Sequence, residues 1–331
     1  MKIIIKKILT SVLLGYLTLS LMACAHQQKT LSHMKLRENI DEFQNLMTKL
    51  PHKSELTGII YGDAHLENFL WLKYPDQIFP NDFDSVKNAE LTSDFYRLLL
   101  STHLIFNLET HQSLSIEKLK NAYLQGLSDL TQSFQAPSEL PFNKNPNKKR
   151  EKFLSKKEFE RNLTNDEVNG LKAIIVKKYS DFLLIEHYLR VKKTGGSKGK
   201  KRYQLWLENK THQTFVWLEL KEQEAKDPFI QKKINEYFNL SYFDRNQTYL
   251  NFNQSLYLLR EIDQFDKKSV IDLDLSDLNE NPSLVEKEFY ALGVFQKTMN
   301  SNETINALIK EITQLKLNDI ETNINFLKQH L

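Results

Sequence analysis

The sequence contains a single cysteine, Cys24, among its 331 residues. One cysteine excludes an internal disulfide framework and a metal site built from several thiolates. A thiol nucleophile is excluded as well, because the residues around Cys24 are those of a lipidation site. Any chemistry of this chain must therefore use its other polar side chains.

A strong net charge and long apolar runs are also missing. The first 23 residues contain three lysines and no acidic residue, so the formal net charge of +3 for the whole chain falls to zero without them. A neutral protein has no global field that gathers nucleic acid, and we expect no nucleic-acid partner. No segment after residue 24 is apolar and long enough to span a bilayer, and no internal repeat occurs.

The N-terminal segment has the pattern of a lipoprotein signal. Lysines precede an uncharged, mostly apolar stretch at residues 8–21, and Leu-Met-Ala then leads into Cys24. We predict a signal peptide at 1–23 and a lipidated tether at 24–34, with the membrane as a partner through Cys24. Ala25 favours the outer membrane, facing the periplasm. An uncleaved anchor helix is the alternative, although a span needs ~20 apolar residues.

The most informative pattern is a pair of acidic motifs. Asp63 begins Asp-Ala-His-Leu-Glu-Asn, so that Asn68 follows five residues later, and Asp82 and Asp84 stand in Asn-Asp-Phe-Asp. In kinase-type phosphoryl transfer, an Asp orients or deprotonates the acceptor hydroxyl, while an Asn and a later Asp hold Mg²⁺ against the nucleotide phosphates. We therefore predict Asp63 as the catalytic carboxylate and Asn68 and Asp82 as Mg²⁺ ligands, with Asp84 either as a further ligand or as an acid behind the ligands. Ordinary loop carboxylates with capping duties are the alternative.

The surrounding pattern predicts how these motifs are presented. A helix is expected at 35–50, and a buried strand at 56–61 would end just before Asp63. A short strand at 78–79 would deliver the second motif. A helical pattern then covers 91–134, with Ser115 as an N-cap.

A glycine-rich hairpin follows in the second half of the chain. Segments 188–191, 203–207 and 215–220 are aromatic and β-branched, which predicts three antiparallel strands. Three of the chain's nine glycines lie in the first turn, among lysines, and such a turn can cover phosphates. A plain surface hairpin is the alternative. The predicted nucleotide-binding residues are Gly195, Gly196, Ser197, Gly199 and Lys221.

The remaining elements follow the order of a kinase small lobe. A helix at 229–240 would pack behind the sheet, with Glu236 as an ion-pair partner for Lys221, a position for which Glu222 and Glu224 compete. Two more strands are expected within 249–259, then a hinge at 260–263. Helices at 284–299 and 305–315 complete the chain.

These motifs occur in one order, together with Ser-Asp-Phe-Tyr-Arg-Leu from residue 93. That order resembles the bacterial family called domain of unknown function 2252, over about residues 34–300. The family is related to the aminoglycoside-phosphotransferase and protein-kinase-like superfamily, so the resemblance implies a kinase-like fold without assigning a substrate. By the same resemblance, Asp94 and Arg97 would buttress the catalytic loop, and His65 would brace it.

The motif order is that of a kinase with its cut point moved. We expect an α+β, circularly permuted protein-kinase-like fold with a helical large lobe and an antiparallel-sheet small lobe. Circular permutation is sterically easy when the termini of a fold lie close together. The helix at 284–299 should then pack beside the strand that leads into Asp63. We expect the catalytic-loop and helical region of the large lobe at 35–180 and the Gly-loop sheet of the small lobe at 181–265. C-terminal helices at 266–331 would complete the large lobe.

Three functions remain open. The first is a phosphotransferase that uses Mg²⁺ and ATP, or another nucleotide, on an unknown small-molecule or envelope acceptor. The second is a pseudokinase-like envelope lipoprotein that binds a ligand or partner without chemistry. The third is a metallophosphoesterase, because Gly-Asp-x-His also opens that motif set, although the further His and Asn motifs do not follow. The intact polar residues favour the first.

Overall fold

The computed structural model describes residues 32–73, 76–129, 161–176, 179–191, 199–209, 211, 214–240, 247–261 and 270–331. These residues form a mixed α+β protein with antiparallel sheets. The helices are α1 (32–38), α2 (Ile40–Met47), α3 (Thr92–Phe106), α4 (Ile116–Ser128), α5 (Asn165–Val176), α6 (Pro228–Leu240), α7 (Leu275–Glu280), α8 (Ser283–Met299), α9 (Asn302–Gln314) and α10 (Leu317–His330). The strands are β1 (Thr57–Ile60), β2 (Phe69–Leu72), β3 (Gln77–Pro80), β4 (Lys87–Glu90), β5 (Arg161–Asn162), β6 (Leu183–Val191), β7 (Lys201–Asn209), β8 (Thr214–Gln223), β9 (Thr248–Phe252), β10 (Ser255–Glu261) and β11 (Val270–Asp272).

The largest sheet has six strands in the order β5-β6-β7-β8-β10-β9. Because side chains alternate along a strand, each strand presents two different faces. One face is apolar and packs with α5 in a core that includes Tyr203, Leu205, Leu218 and Leu220. The opposite face, which carries Lys221, is here called the inner face. Its buried polar side chains make it unlike an ordinary core surface.

Two small ladders position the acidic motifs. Strand β1 pairs antiparallel with β4, and β2 pairs antiparallel with β3. The chain therefore leaves β1 through one loop, runs through the β2–β3 hairpin, and returns through a second loop to β4. Both loops lie at the ends of these ladders. The distant strand β11 completes the second ladder by pairing with β2.

Helix α8 packs against the strand that leads into the first loop. Asn300, which follows α8, accepts a hydrogen bond from the Ile59 N–H (2.8 Å) and donates one to the Ile59 carbonyl (2.9 Å). Tyr61 also meets Phe295 of α8, with ring centroids 5.5 Å apart. The prediction that the helix at 284–299 lies beside the strand before Asp63 is thus confirmed.

Two glycines allow α4 and α8 to approach closely. A Cβ on Gly126 would lie 2.1 Å from the Tyr290 carbonyl, and one on Gly293 would lie 2.4 Å from the Tyr123 carbonyl. Real Cβ atoms do not approach backbone oxygens so closely, so both positions need glycine. The contact places α8 between α4 and the strand β1.

The remaining predicted elements have mixed outcomes. The three strands of the hairpin region and the strands within 249–259 are confirmed as β6 to β10. The helix expected at 35–50 is interrupted at Asn39, which has φ −113° and ψ 62°. Of the helical pattern over 91–134, the described part to residue 129 forms two helices, and Ser115 caps the second one by accepting a hydrogen bond from the Lys118 N–H (3.3 Å). Among the described helices, none has both the length and the apolar character needed to cross a bilayer.

Candidate functional site

A tyrosine and a glycine join the two acidic loops. The Tyr61 hydroxyl donates a hydrogen bond to the Asn68 carbonyl (3.1 Å) and accepts one from the Asp82 N–H (3.0 Å). Gly62 has φ +83°, and a Cβ there would lie 2.3 Å from the Ser85 carbonyl. Only glycine tolerates both this conformation and this contact. The first loop therefore lies directly against the second, which brings their carboxylates to one place.

Asp63 is held by groups on three sides. Arg97, which is fully buried, donates to Asp63 Oδ1 (3.1 Å). Asn68 Nδ2 donates to the Asp63 carbonyl (2.9 Å) and lies 3.4 Å from Oδ2. His65 Nε2 lies 3.7 Å from Oδ2 and its Nδ1 contacts the Leu66 carbonyl, so His65 occupies the bracing position expected of it.

Asp94 supports the backbone on which Asp63 stands. Its carboxylate accepts hydrogen bonds from the N–H groups of Tyr61 (2.6 Å) and Gly62 (2.8 Å), and from Gln296 Nε2 (2.9 Å). Burial raises the pKa of Asp94 to about 6, against the opposing effect of the Gly62 and Tyr61 N–H groups. Asp94 thus lies where the sequence predicted a buttress.

The six-stranded sheet contributes one cation to the second loop. Lys221 Nζ, on the inner face, lies 3.2 and 3.3 Å from the two carboxylate oxygens of Asp82 and also contacts Asp84 Oδ2. Lys221 is only 3% exposed, whereas the side chain of Asp82 is 44% exposed, so the cation is buried and its Asp82 partner opens to the cleft. The structure therefore brings together residues that are 139 positions apart in the chain.

The two carboxylates next to Lys221 differ in their acidity. Burial opposes ionisation of Asp82, but the Lys221 ammonium, a hydrogen bond from Asp84 and the charge of Arg260 together outweigh it and lower the pKa of Asp82. Burial and the neighbouring Asp82 charge raise the pKa of Asp84. Two adjacent carboxylates with opposite shifts share one cation, and such pairs cluster at functional sites.

These residues lie along a cleft of about 1090 Å³. Asp63, Asn68, Asp82 and Asp84 line it on one side, and residues of α1 and α2 line it on another. Lys226, which belongs to none of the predicted motifs, also lines the cleft. Its Nζ donates to the carbonyls of Asp84 (2.6 Å) and Val86 (3.2 Å). Burial lowers the pKa of Lys226 to about 8.

The donor set of the cleft suits a hard cation that is also bound by phosphates. Asp84 Oδ1 is buried without a hydrogen-bond partner, and the Asn68 amide N–H is already used on Asp63, which leaves its side-chain oxygen as a ligand. Mg²⁺ is usually bound by one or two carboxylates, with phosphate and water oxygens for the rest. Among the described residues, no group of three or more His, Cys, Asp or Glu side chains is arranged to hold a metal ion by itself.

Other predicted residues lie elsewhere. The expected ion pair of Glu236 with Lys221 is not formed: Glu236 is 47% exposed and lies near Lys232 (3.9 Å) and Lys233 (3.3 Å) on its own helix. The helix presents that side chain to solvent, and the acids of the second loop take its place. Gly199 has φ +82°, and a Cβ built there would meet no atom of the described residues within 4 Å. Cys24, Gly195, Gly196 and Ser197 lie outside the described residues.

One comparison with known proteins gives a match. Residues 42–167 match the family model DUF2252. That family is described as an uncharacterized protein conserved in bacteria. The matched segment contains both acidic loops and ends before Lys221, so the longer resemblance expected to about residue 300 stays a prediction beyond residue 167. No curated protein and no solved structure matches the chain.

Proposed function

We propose that this chain is a kinase-like phosphotransferase that depends on Mg²⁺ and acts on a small-molecule or envelope acceptor. The observation that carries the proposal is the convergence of Lys221 with Asp82 and Asp84 on one side of the cleft that Asp63 and Asn68 also line. Kinase-type phosphoryl transfer also uses a lysine from the small-lobe sheet and an Asp that follows the catalytic loop, on the phosphates and Mg²⁺ of the donor. In this chain the two loop acids occupy the place of the helix-borne Glu that usually pairs with the lysine.

Each residue has a role in this proposal. Asp63 accepts the proton of the acceptor hydroxyl, and Arg97 fixes the orientation of its carboxylate. Lys221 binds phosphate oxygens of the donor, and these oxygens replace part of its present contact with Asp82 and Asp84. Asn68, Asp82 and Asp84 would hold Mg²⁺, which supplies charge neutralisation at the transferred phosphoryl group.

The permuted two-lobe arrangement belongs to the same proposal. The six-stranded sheet and its apolar core correspond to a small lobe, and the helical core around α3, α4 and α8 corresponds to a large lobe. The packing of α8 beside β1 supports this assignment, because a permuted kinase would place its last helices next to the strand that begins the catalytic loop. We also propose that Cys24 anchors the domain in the cell envelope.

Calorimetry on the purified full chain tests the proposal. We expect ATP to bind only with Mg²⁺ and the Asp82→Ala variant to lose this binding, because the variant lacks a metal-binding carboxylate. Asp181→Ala, which removes an exposed acid away from the cleft, should bind like the wild type. Absence of Mg²⁺-dependent binding by the folded wild type would refute the phosphotransferase and leave a ligand-binding lipoprotein as the alternative.

A further inference from the structure

Helix α1 is fixed directly on the loop that carries Asp63. His33 Nε2 of this helix lies 2.8 Å from Ser101 Oγ. The Leu36 carbonyl accepts a hydrogen bond of 2.5 Å from Arg97, the residue that orients the Asp63 carboxylate. His33, Leu36 and Ser101 are all buried, so these contacts hold α1 firmly in place. The described structure therefore begins, at the start of α1, beside the catalytic loop.

The length of chain before α1 limits the distance between the cleft and the membrane. Eight residue steps separate Cys24 from residue 32. Even a fully extended chain of that length spans at most about 29 Å. A compact domain of this size is about 50 Å across. With Cys24 in the membrane, as proposed above, the side of the domain that carries α1 and the cleft stays close to the bilayer surface.

Two exposed apolar side chains lie at the rim of the cleft, on different helices. Met34 of α1 lines the cleft and is 48% exposed. Phe229 of α6 is 59% exposed and lies between Asp227 and Ile230, which both line the cleft. Large apolar side chains on a surface that meets a bilayer insert at the boundary between headgroups and acyl chains. The rim therefore suits contact with lipid.

The charge of the cleft restricts the headgroup that can enter it. The lining contains nine Asp or Glu side chains but only four from Lys or Arg. Three of the acids, Glu38, Asp41 and Glu42, lie on α1 and α2, close in sequence to Met34 at the rim. Like charges across a contact are unfavourable, so an anionic headgroup is repelled. An uncharged headgroup that carries hydroxyl groups fits this lining and provides the atom that Asp63 needs.

We propose that the acceptor is a hydroxyl group on an uncharged lipid headgroup, such as the sugar of a glycolipid, at the membrane surface that the cleft faces. This inference rests on the proposed phosphotransferase function and on lipidation of Cys24, and it specifies the acceptor. The headgroup oxygen forms a bond to the terminal phosphorus of a nucleoside triphosphate. The bridging P–O bond breaks, and its electron pair leaves with the nucleoside diphosphate. The hydroxyl proton passes to Asp63, while Met34 and Phe229 insert between the surrounding lipids.

Phosphoryl transfer in vesicles tests the inference on the full chain, lipidated at Cys24. The protein is reconstituted into phosphatidylcholine vesicles that contain a neutral galactolipid, with Mg²⁺ and ATP labelled at the γ-phosphate. We expect the label to appear in the galactolipid. Free galactose at the same total concentration should receive about tenfold less, because the anchor concentrates only the lipid-borne sugar at the cleft. Phosphatidylglycerol, which carries hydroxyl groups on an anionic headgroup, should also receive less.

Rim variants test the contact with the membrane. The double variant Met34→Ser/Phe229→Ser should transfer label to the galactolipid about tenfold more slowly, because it loses the apolar area that inserts into the bilayer. Leu317→Ser is the matched control, since Leu317 is 47% exposed on α10 and does not line the cleft. It should behave like the wild type. All three positions are exposed, so the variants should fold normally, which thermal melts check.

The contrary outcomes separate this inference from the proposed function. If free galactose is labelled at least as fast as the galactolipid, the acceptor comes from solution and the inference is wrong, while the phosphotransferase stands. Equal transfer by the double variant and the wild type would also overturn it, because the rim then does not contact lipid. If ATP binds with Mg²⁺ in calorimetry but neither sugar is labelled, the acceptor assignment fails alone. If ATP does not bind to the folded protein, the phosphotransferase itself is refuted.

Discussion

Gln296 Nε2 donates a hydrogen bond of 2.9 Å to Asp94 Oδ2, although the two residues are 202 positions apart. The same amide group donates to the Leu91 carbonyl (3.0 Å), and its oxygen accepts from the Tyr123 hydroxyl. Asp94 then holds the backbone N–H groups that precede Asp63. A helix near the C-terminus therefore fixes the position of the acidic loop near the N-terminus.

The first prediction concerns this amide. Gln296→Leu should lower the free energy of unfolding by about 2–3 kcal/mol, because it leaves a buried carbonyl, a buried hydroxyl and part of the Asp94 carboxylate without partners. Urea denaturation measures the change. Gln314→Leu, at an exposed position, is the matched control and should change stability by less than about 0.5 kcal/mol. Equal effects of the two variants would contradict the role of Gln296.

A second prediction concerns the contact between Gly58 and Asn300. A Cβ on Gly58 would lie 2.5 Å from Asn300 Oδ1, the atom that accepts the Ile59 N–H. Gly58→Ala should therefore cost about 1–2 kcal/mol, because it displaces that hydrogen bond. In the Asn300→Ala background the cost should be smaller by at least ~0.5 kcal/mol, since the clashing oxygen is gone. Leu91, 3.0 Å from the same Cβ, keeps part of the cost.

A double-mutant cycle measured by urea denaturation gives this coupling directly. The four proteins are the wild type, the two single variants and the double variant. Additive effects would show that Asn300 does not limit the space at Gly58. They would also contradict the close packing of α8 on β1, which supports the permuted arrangement.

Much of the site was accessible from local sequence pattern. Strand-like segments that lead into acidic residues predicted the two loops, and segments rich in aromatic and β-branched residues predicted β7 and β8. The convergence of Lys221 with the acidic loops followed from the order of motifs. Local pattern fails for β4, whose sequence Lys-Asn-Ala-Glu has no strand preference and which forms because β1 offers it a partner.

The details of ion pairing were not accessible in the same way. Glu236 and Glu219 are both acids near Lys221 in the sequence, but periodicity does not tell which one is buried. Helix α6 directs Glu236 to solvent, while Glu219 lies between two arginines from neighbouring strands. Cross-strand neighbours depend on strand order and register, which a single segment does not encode. The same holds for Lys226, whose role depends on two carbonyls of a distant loop.

A third prediction concerns the cation between the two loop acids. Lys221→Met should lower the free energy of unfolding by about 2–3 kcal/mol, because Asp82 and Asp84 then repel each other; partial exposure of Asp82 keeps the cost below that of a fully buried pair. Mg²⁺ alone should raise the melting temperature of this variant more than that of the wild type, since no ammonium competes for the carboxylates.

Thermal melts with and without Mg²⁺ measure this difference. Adding Asp82→Ala to Lys221→Met should abolish the extra Mg²⁺ effect, which assigns it to the loop acids. An equal Mg²⁺ response of Lys221→Met and the wild type would show that Asp82 and Asp84 do not bind the cation.

The last prediction concerns pH and the ion pairs that Glu219 forms with Arg202 and Arg260. Although burial opposes ionisation, Arg260 and Arg202 lower the pKa of Glu219 to about 2, from 4.5. Above pH 4.5 the carboxylate is ionised in the folded and unfolded states, and its stabilisation is fully present. As pH falls from 4.5 to 2, only the unfolded state takes up the proton, so about 3 kcal/mol of stability is lost across this window.

Glu219→Gln should remove this contribution. The variant is less stable than the wild type at pH 6, because the buried Arg202 and the partly exposed Arg260 lose their counter-ion, but its stability should fall less steeply between pH 4.5 and 2. Urea denaturation at pH 6, 4 and 3 gives both slopes. Glu280→Gln, at an exposed position, should keep the wild-type slope. If the Glu219→Gln and wild-type curves run parallel, Arg202 and Arg260 do not hold Glu219 ionised.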